Sequence, residues 1–127
     1  MSLEKIKTLT QKVYQTLGSG FSERVYHNAM EVLLRMEGIS YETERIVPIV
    51  FEGHTIGNMR ADLIVEKSII VELKATKSIT PAMVTQAQKY LQLLDLSQAL
   101  VVNFPQPVGD RVELTVVEPY KSVETES

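Results

Sequence analysis

The spacing of apolar residues changes period along this chain, and that change limits the folds open to it. Leu3, Ile6, Val13 and Leu17 recur at helical intervals, with Glu4, Lys5, Lys7, Gln11 and Lys12 between them, which predicts a first helix. Ser2 is placed to cap its start and Gly18 to end it, and Gly18-Ser19-Gly20 is then a break. A second helix is expected from about Ser22 to Glu37, with Val25, Ala29, Met30, Leu33 and Met36 on its buried side and Gly38 as its terminator. From Tyr41 the helical period is lost. Tyr41 to Phe51 reads as a strand, and Pro48 within it points to an edge position or a bulge. Glu52-Gly53 is a turn, followed by strands over Thr55 to Val65 and Ile69 to Ala75 around the polar turn Glu66-Lys67-Ser68.

The helical period returns at Thr80-Pro81, where Thr80 or Ser78 caps and Pro81 occupies the first helical position. Met83, Ala87, Tyr90, Leu91 and Leu94 form the apolar stripe of this third helix, and short strands follow at Ala99 to Phe104 and Val112 to Val117. The order α-α-β-β-β-α-β-β predicts an α/β fold in which helices flank a mixed central sheet. The 127 residues suit one domain over 1–119, and the terminal 120–127, ending KSVETES, is expected to fray.

Composition removes several function classes. The absence of cysteine excludes a disulfide framework, a thiolate zinc site, an iron–sulfur cluster and a cysteine nucleophile. The charged N-terminal segment has no signal-peptide core, and no apolar run approaches the ~20 residues that span a membrane. A soluble cytoplasmic protein with no membrane partner is therefore expected. A net charge of −3 argues against a surface that binds nucleic acid all over, but not against a local basic groove. Walker, GxGxxG and serine-elbow motifs are missing.

Chemistry concentrates on two strands. Side chains alternate across a strand, so in Ile69-Ile70-Val71-Glu72-Leu73-Lys74 the charged Glu72 and Lys74 share a face with Ile70. If the hairpin turns at Lys67 and Val65 pairs with Ile69, Asp62 falls opposite Glu72 and Arg60 opposite Lys74. Opposed carboxylates repel, and one tends to keep a proton. A hard divalent cation such as Mg²⁺ resolves the conflict by taking the oxygens as ligands. A bound ion of that kind can activate water and neutralise a phosphate, with Lys74 orienting the water or stabilising the transition state. Taken alone, an Asp followed ten residues later by Glu-x-Lys reads better as a hairpin with one solvated face.

Longer motifs tip the balance. Gly20-Phe21-Ser22-Glu23-Arg24-Val25-Tyr26 resembles the signature of the GxxExxY protein family. Arg60-Ala61-Asp62-Leu63, Val71-Glu72-Leu73-Lys74-Ala75, Gln86-Ala87-Gln88-Lys89-Tyr90-Leu91 and Asn103-Phe104 resemble its later segments, in order, from about residue 4 to residue 117. That family is grouped with the PD-(D/E)XK nuclease superfamily, so the resemblance implies a restriction-endonuclease-like core and a metal-dependent nuclease acting on DNA or RNA. It implies Asp62, Glu72 and the Leu73 carbonyl as ligands of Mg²⁺ or Mn²⁺, and Lys74 as the catalytic lysine. Glu23 corresponds to an acid on the preceding helix that helps hold metal or water. Gln86 and Tyr90 correspond to a pair lining the site, and Tyr26 to a residue that either packs or orients it. Ala61 stands where many members carry proline.

Each residue also has a plainer reading. Glu23 suits a helix first turn through the dipole, worth ~0.3–1 kcal/mol. Gln86, four residues before Tyr90 on one helical face, is otherwise a half-exposed glutamine. His27 is read as a solvated helix residue and His54 as part of a turn. Arg24, Lys77 and Lys89 read as scattered surface charge, with a small basic rim as the alternative. Two rival functions stand beside the nuclease: a catalytically silent nucleic-acid-binding or protein-interaction module on the same fold, and an assembly protein that forms a homo-oligomer.

Overall fold

In the computed structural model, which describes residues 2–119, the alternating segments pair into a five-stranded sheet. The expected frayed tail, 120–127, lies outside the described residues. The strands are β1 (Tyr41–Phe51), β2 (His54–Val65), β3 (Ile69–Lys74), β4 (Gln98–Asn103) and β5 (Glu113–Val117), side by side in that order. Pairing is antiparallel except between β3 and β4, which run parallel. The parallel pair requires a crossover, and α3 (Pro81–Leu94) supplies it. The helices α1 (Leu3–Leu17) and α2 (Glu23–Met36) precede the sheet. The expected α/β architecture, a mixed sheet flanked by helices, is the one observed.

Local chemistry sets the helix ends. The Ser2 hydroxyl accepts from the Lys5 N–H, and the Thr80 hydroxyl accepts from the Met83 N–H with Pro81 next to it. Pro48 sits on β1, an edge strand, and the β1–β2 register shifts between Ile49 and Val50, so both consequences expected of that proline occur.

Two apolar layers enclose the sheet. On one side Ile6, Leu9, Val13 and Tyr14 of α1 and Tyr26, Met30 and Leu34 of α2 pack on Leu63, Val65, Val71, Leu73, Leu100 and Val102. On the other, Ala87, Tyr90 and Leu91 of α3 pack on Ile64, Ile70, Ala99 and Val101. β3 is therefore covered on both faces, and a solvated face for Glu72 is ruled out: that residue is only 3% exposed.

Two readings of α2 need correction. Its buried line is Tyr26, His27, Met30 and Leu34, whereas Val25 and Met36 of the expected stripe are exposed. His27 is buried, not solvated, with its Nε2 2.9 Å from Thr43 Oγ1 and 3.0 Å from Glu31 Oε2. The helix rolls about one residue from its apparent apolar axis because Tyr26, a large ring, stacks on Phe104 with centroids 4.3 Å apart and planes 5° from parallel. That contact buries more surface than Val25 would. No helix among the described residues is long and apolar enough to cross a membrane.

Candidate active site

The site forms where the β2–β3 ladder stops. Val65 pairs with Ile69, Ile64 with Ile70 and Leu63 with Val71, which is the register expected from a turn at Lys67. The next pair by count, Asp62 with Glu72, is not a ladder pair. Strict alternation from Leu63 would put Ala61 on the α1/α2 side, yet Ala61 belongs to the α3-side core, so β2 rotates at Asp62. The rotation opens a fork between the strands, and side chains fill the hydrogen-bonding gap. The Asp62 N–H donates to Glu72 Oε2 at 2.9 Å, and the Leu73 N–H donates to Asp62 Oδ2 at 2.7 Å. Beyond the fork the Tyr90 hydroxyl takes over the β2 backbone, donating to the Arg60 carbonyl at 2.5 Å and accepting from the Arg60 N–H at 3.1 Å.

This exchange holds both carboxylates in place and leaves one oxygen of each without a bond to the other strand. The Leu73 carbonyl is directed the same way. Lys74 turns its own carbonyl to the β4 side, where it accepts from the Phe104 N–H at 2.8 Å, and neighbouring peptides on a strand point oppositely. Two carboxylate oxygens and a peptide carbonyl are hard donors of the kind that hold Mg²⁺ or Mn²⁺. Among the described residues no group of three or more acidic or histidine side chains converges closely enough to hold a metal. An ion here would keep several waters, as Mg²⁺ commonly does.

The electrostatics disfavour the ionised forms of the carboxyls gathered here. Burial and then the neighbouring Asp62 charge push the Glu72 carboxyl up to about 8. Burial also raises Asp62, against the Leu73 N–H and the Lys74 charge, which lower it. Glu23, at the start of α2, is raised by burial and by the charge on Asp62 while Lys74 pulls it down, which places its carboxyl within electrostatic reach of both. Burial and the Glu72 charge push the Tyr90 phenol up to about 12. The Lys74 ammonium is half-buried beside this cluster and donates to Gln86 Oε1 at 3.5 Å.

Of the residues singled out in the sequence, Asp62, Glu72, Leu73, Lys74, Gln86 and Tyr90 thus meet at the fork, and Glu23 faces it across the α2 terminus. Tyr26 does not reach it. The Tyr26 hydroxyl donates to the Gly18 carbonyl at 2.7 Å and accepts from Gln106 Nε2 at 3.1 Å, while Gln106 Oε1 accepts from the Gly20 N–H at 2.8 Å. Together these bonds fix the turn that delivers Glu23. Gly20 has φ +105, a conformation that only glycine adopts without strain. Gln106 escaped the sequence reading, since a lone glutamine in a Pro-Gln-Pro loop carries no pattern. His27 reads as solvated, although its position one turn after Glu23 was an available signal that it faces inward.

Asp62→Asn keeps an acceptor for the Leu73 N–H and removes a repelling charge, so the metal-free thermal midpoint is expected to rise. Asp62→Ala leaves that N–H unpaired in the fork and is expected to cost about 1–3 kcal/mol. Calorimetry of the two variants at pH 8 separates the effects, and a lower midpoint for Asp62→Asn would show that the carboxylate has structural partners beyond Leu73.

The chain belongs to the PD-(D/E)XK nuclease superfamily, whose sequence profile matches residues 2–114. Among solved structures it resembles the crystal structure of SSO0001, at 24% identity and a TM-score of 0.59 over 78% of this chain and 50% of that one. This chain thus spans about half the length of SSO0001. It also resembles the alkaline exonuclease LHK-Exo from Laribacter hongkongensis, at 11% identity and a TM-score of 0.53 over 92% of this chain and 82% of that one. The complex of LHK-Exo with dAMP matches at 12% identity and a TM-score of 0.52, over 87% and 76% of the two chains. At these identities the likeness establishes the fold. No curated protein sequence matches the chain.

Proposed function

We propose that this protein hydrolyses phosphodiester bonds in nucleic acid with the help of Mg²⁺ or Mn²⁺, which Asp62, Glu72 and the Leu73 carbonyl would hold. The observation that carries this reading is the pair of carboxylates at the β2–β3 fork, Glu72 buried and Asp62 half-buried, each anchored to a backbone N–H of the strands flanking the fork, with Lys74 beside them. Membership of a nuclease superfamily supports it, as does the fold shared with an exonuclease that has been captured with dAMP. The narrower kinship with the GxxExxY family rests on Gly20, Glu23 and Tyr26 and their spacing.

When bound, such an ion supplies Lewis-acid stabilisation of phosphate charge and lowers the pKa of a bound water. The remaining work falls to the chain. Lys74, held toward Gln86, offers its ammonium to the attacking water or to a non-bridging phosphate oxygen. Glu23, whose affinity for protons is raised, accepts a hydrogen bond from that water. Tyr90 keeps the fork open by occupying the Arg60 peptide groups. Tyr26 and Gln106 hold the turn before Glu23 and touch no reacting atom.

One observation favours a second reading, a catalytically silent binding module. The described residues bring only two carboxylates close together, and each already spends an oxygen on a backbone bond. Calorimetric titration of Mn²⁺ and Mg²⁺ into the wild type and Glu72→Ala decides between them without any guess about substrate. Saturable binding in the wild type, lost in Glu72→Ala and accompanied by cleavage of oligonucleotides in Mn²⁺, is the expected result. Oligonucleotide binding without cleavage at any metal concentration would establish the silent module instead.

A further inference from the structure

Arg24 follows Glu23 on the first turn of α2, and its Nη2 donates to Glu44 Oε1 on β1 in a salt bridge whose side chains are 51% and 35% exposed. Three features set this pair apart from an incidental surface contact. First, Glu44 has φ +53, a left-handed conformation in the middle of a strand that a residue with a side chain rarely adopts. Second, it occurs beside the site. Thr43 pairs with Leu63 and Arg45 with Ala61, so Glu44 is the residue opposite Asp62 by count, and that pair is missing from the ladder. Third, Arg60, two residues from Asp62 and exposed, lies within electrostatic reach of both Glu44 and Asp62.

A phosphodiester strand lying along Asp62, Glu72 and Glu23 meets carboxyl groups that offer it no positive charge. The Arg24 guanidinium, within electrostatic reach of Asp62, can supply that charge and is already paired with a carboxylate of this chain. Exposed ion pairs are weak because solvent screens them, so a phosphate, which suits the guanidinium fork as well as a carboxylate does, displaces Glu44 at little cost. We infer that Arg24 forms a subsite for the nucleic-acid backbone phosphate next to the one at the Asp62–Glu72 fork, and that Glu44 is its displaceable internal counter-ion. Arg60 adds positive charge on the same side. The inference rests on the nucleic-acid reading above and adds to it the residue that grips the strand and the contact that weakens the grip.

The consequence is an opposite pair of effects. Binding of labelled 15-nucleotide DNA and RNA strands is followed by fluorescence anisotropy with Ca²⁺ in place of Mg²⁺, across a salt series. Arg24→Ala is expected to weaken binding about three- to tenfold and to reduce the slope of log affinity against log salt by about 0.7, the loss of one single-strand phosphate contact. Glu44→Gln is expected to tighten binding by a similar factor, and to do nothing further when Arg24 is already alanine. Glu42→Gln is the control. It removes the same charge from the same strand, but Glu42 pairs with Arg45 at 3.4 Å in a hollow beside Leu94 and Leu96 on the α3 side, and less than a twofold change is expected. If Glu42→Gln tightens binding as much as Glu44→Gln, or Arg24→Ala keeps the wild-type salt slope, the subsite is overturned and the nuclease reading stands. If the wild type binds neither strand, the nucleic-acid reading falls and the subsite falls with it.

Discussion

Lys74→Ala is expected to lower phosphodiester cleavage by roughly 10²–10³-fold, the usual cost of removing one preorganised donor from a developing negative charge, with the fold retained. Lys74 is half-buried at the end of β3, and among the described residues its one side-chain hydrogen-bond partner is Gln86 at 3.5 Å, so truncation removes little packing. The ammonium also lowers the proton affinity of Asp62 and Glu72. Its loss should therefore weaken metal affinity at neutral pH, because a metal competes with protons for those oxygens. Saturating Mn²⁺ restores the metal and leaves the chemical defect. Single-turnover rates at saturating Mn²⁺, with near-ultraviolet circular dichroism to confirm the fold, give the measurement. A Lys74→Ala enzyme cutting at the wild-type rate would remove Lys74 from the mechanism.

The second large effect concerns stability. Glu72 releases its proton at about 8 in the folded chain, against about 4.5 for an unperturbed glutamate. Between those values the folded state holds a proton that the unfolded state has lost. Stability must then fall as pH rises, because it declines wherever the native state binds more protons. The contribution is complete below about pH 4.5 and is gone above about pH 8. The raised pKa of Asp62 acts in the same direction. For a residue this buried the loss is expected to be on the order of 3 kcal/mol. The metal-free wild type should therefore melt progressively lower from pH 5 to pH 8, whereas Glu72→Gln, which keeps an acceptor for the Asp62 N–H, should show a much shallower decline over that window, the part that Asp62 still contributes. Adding Mn²⁺ at pH 8 should raise the wild-type midpoint and leave that of Glu72→Gln nearly unchanged. A wild-type midpoint that stays constant or climbs from pH 5 to pH 8 would mean that Glu72 is ionised without cost.

Both predictions depend on a feature only partly legible in the sequence. Counting from a turn at Lys67 put Asp62 opposite Glu72, and the observed pairs from Val65–Ile69 to Leu63–Val71 follow that count. The count assumed an intact ladder. It gave no sign that β2 rotates at Asp62, that each carboxylate bonds to a backbone N–H across the fork, or that the Tyr90 hydroxyl replaces a strand partner for Arg60. A regular ladder would have occupied those backbone groups and closed the fork.

Element order, the β2–β3 register from Val65 back to Leu63 and the residue types at the fork were set by local periodicity and turn chemistry, which are properties of each segment by itself. Pro48 marked the edge strand and Thr80-Pro81 the start of α3 for the same reason. Tertiary structure alone decided which side of α2 is buried, because the stacking of Tyr26 on Phe104 outweighs the apparent apolar axis of the helix. It alone buried His27 between Thr43 and Glu31, joined Gln106 to the turn before Glu23 and set Arg24 against Glu44. Except for His27–Glu31, one helical turn apart, these contacts join residues well separated in the chain. Their energies come from packing and from polar pairing, and no local repeat of residue types encodes them.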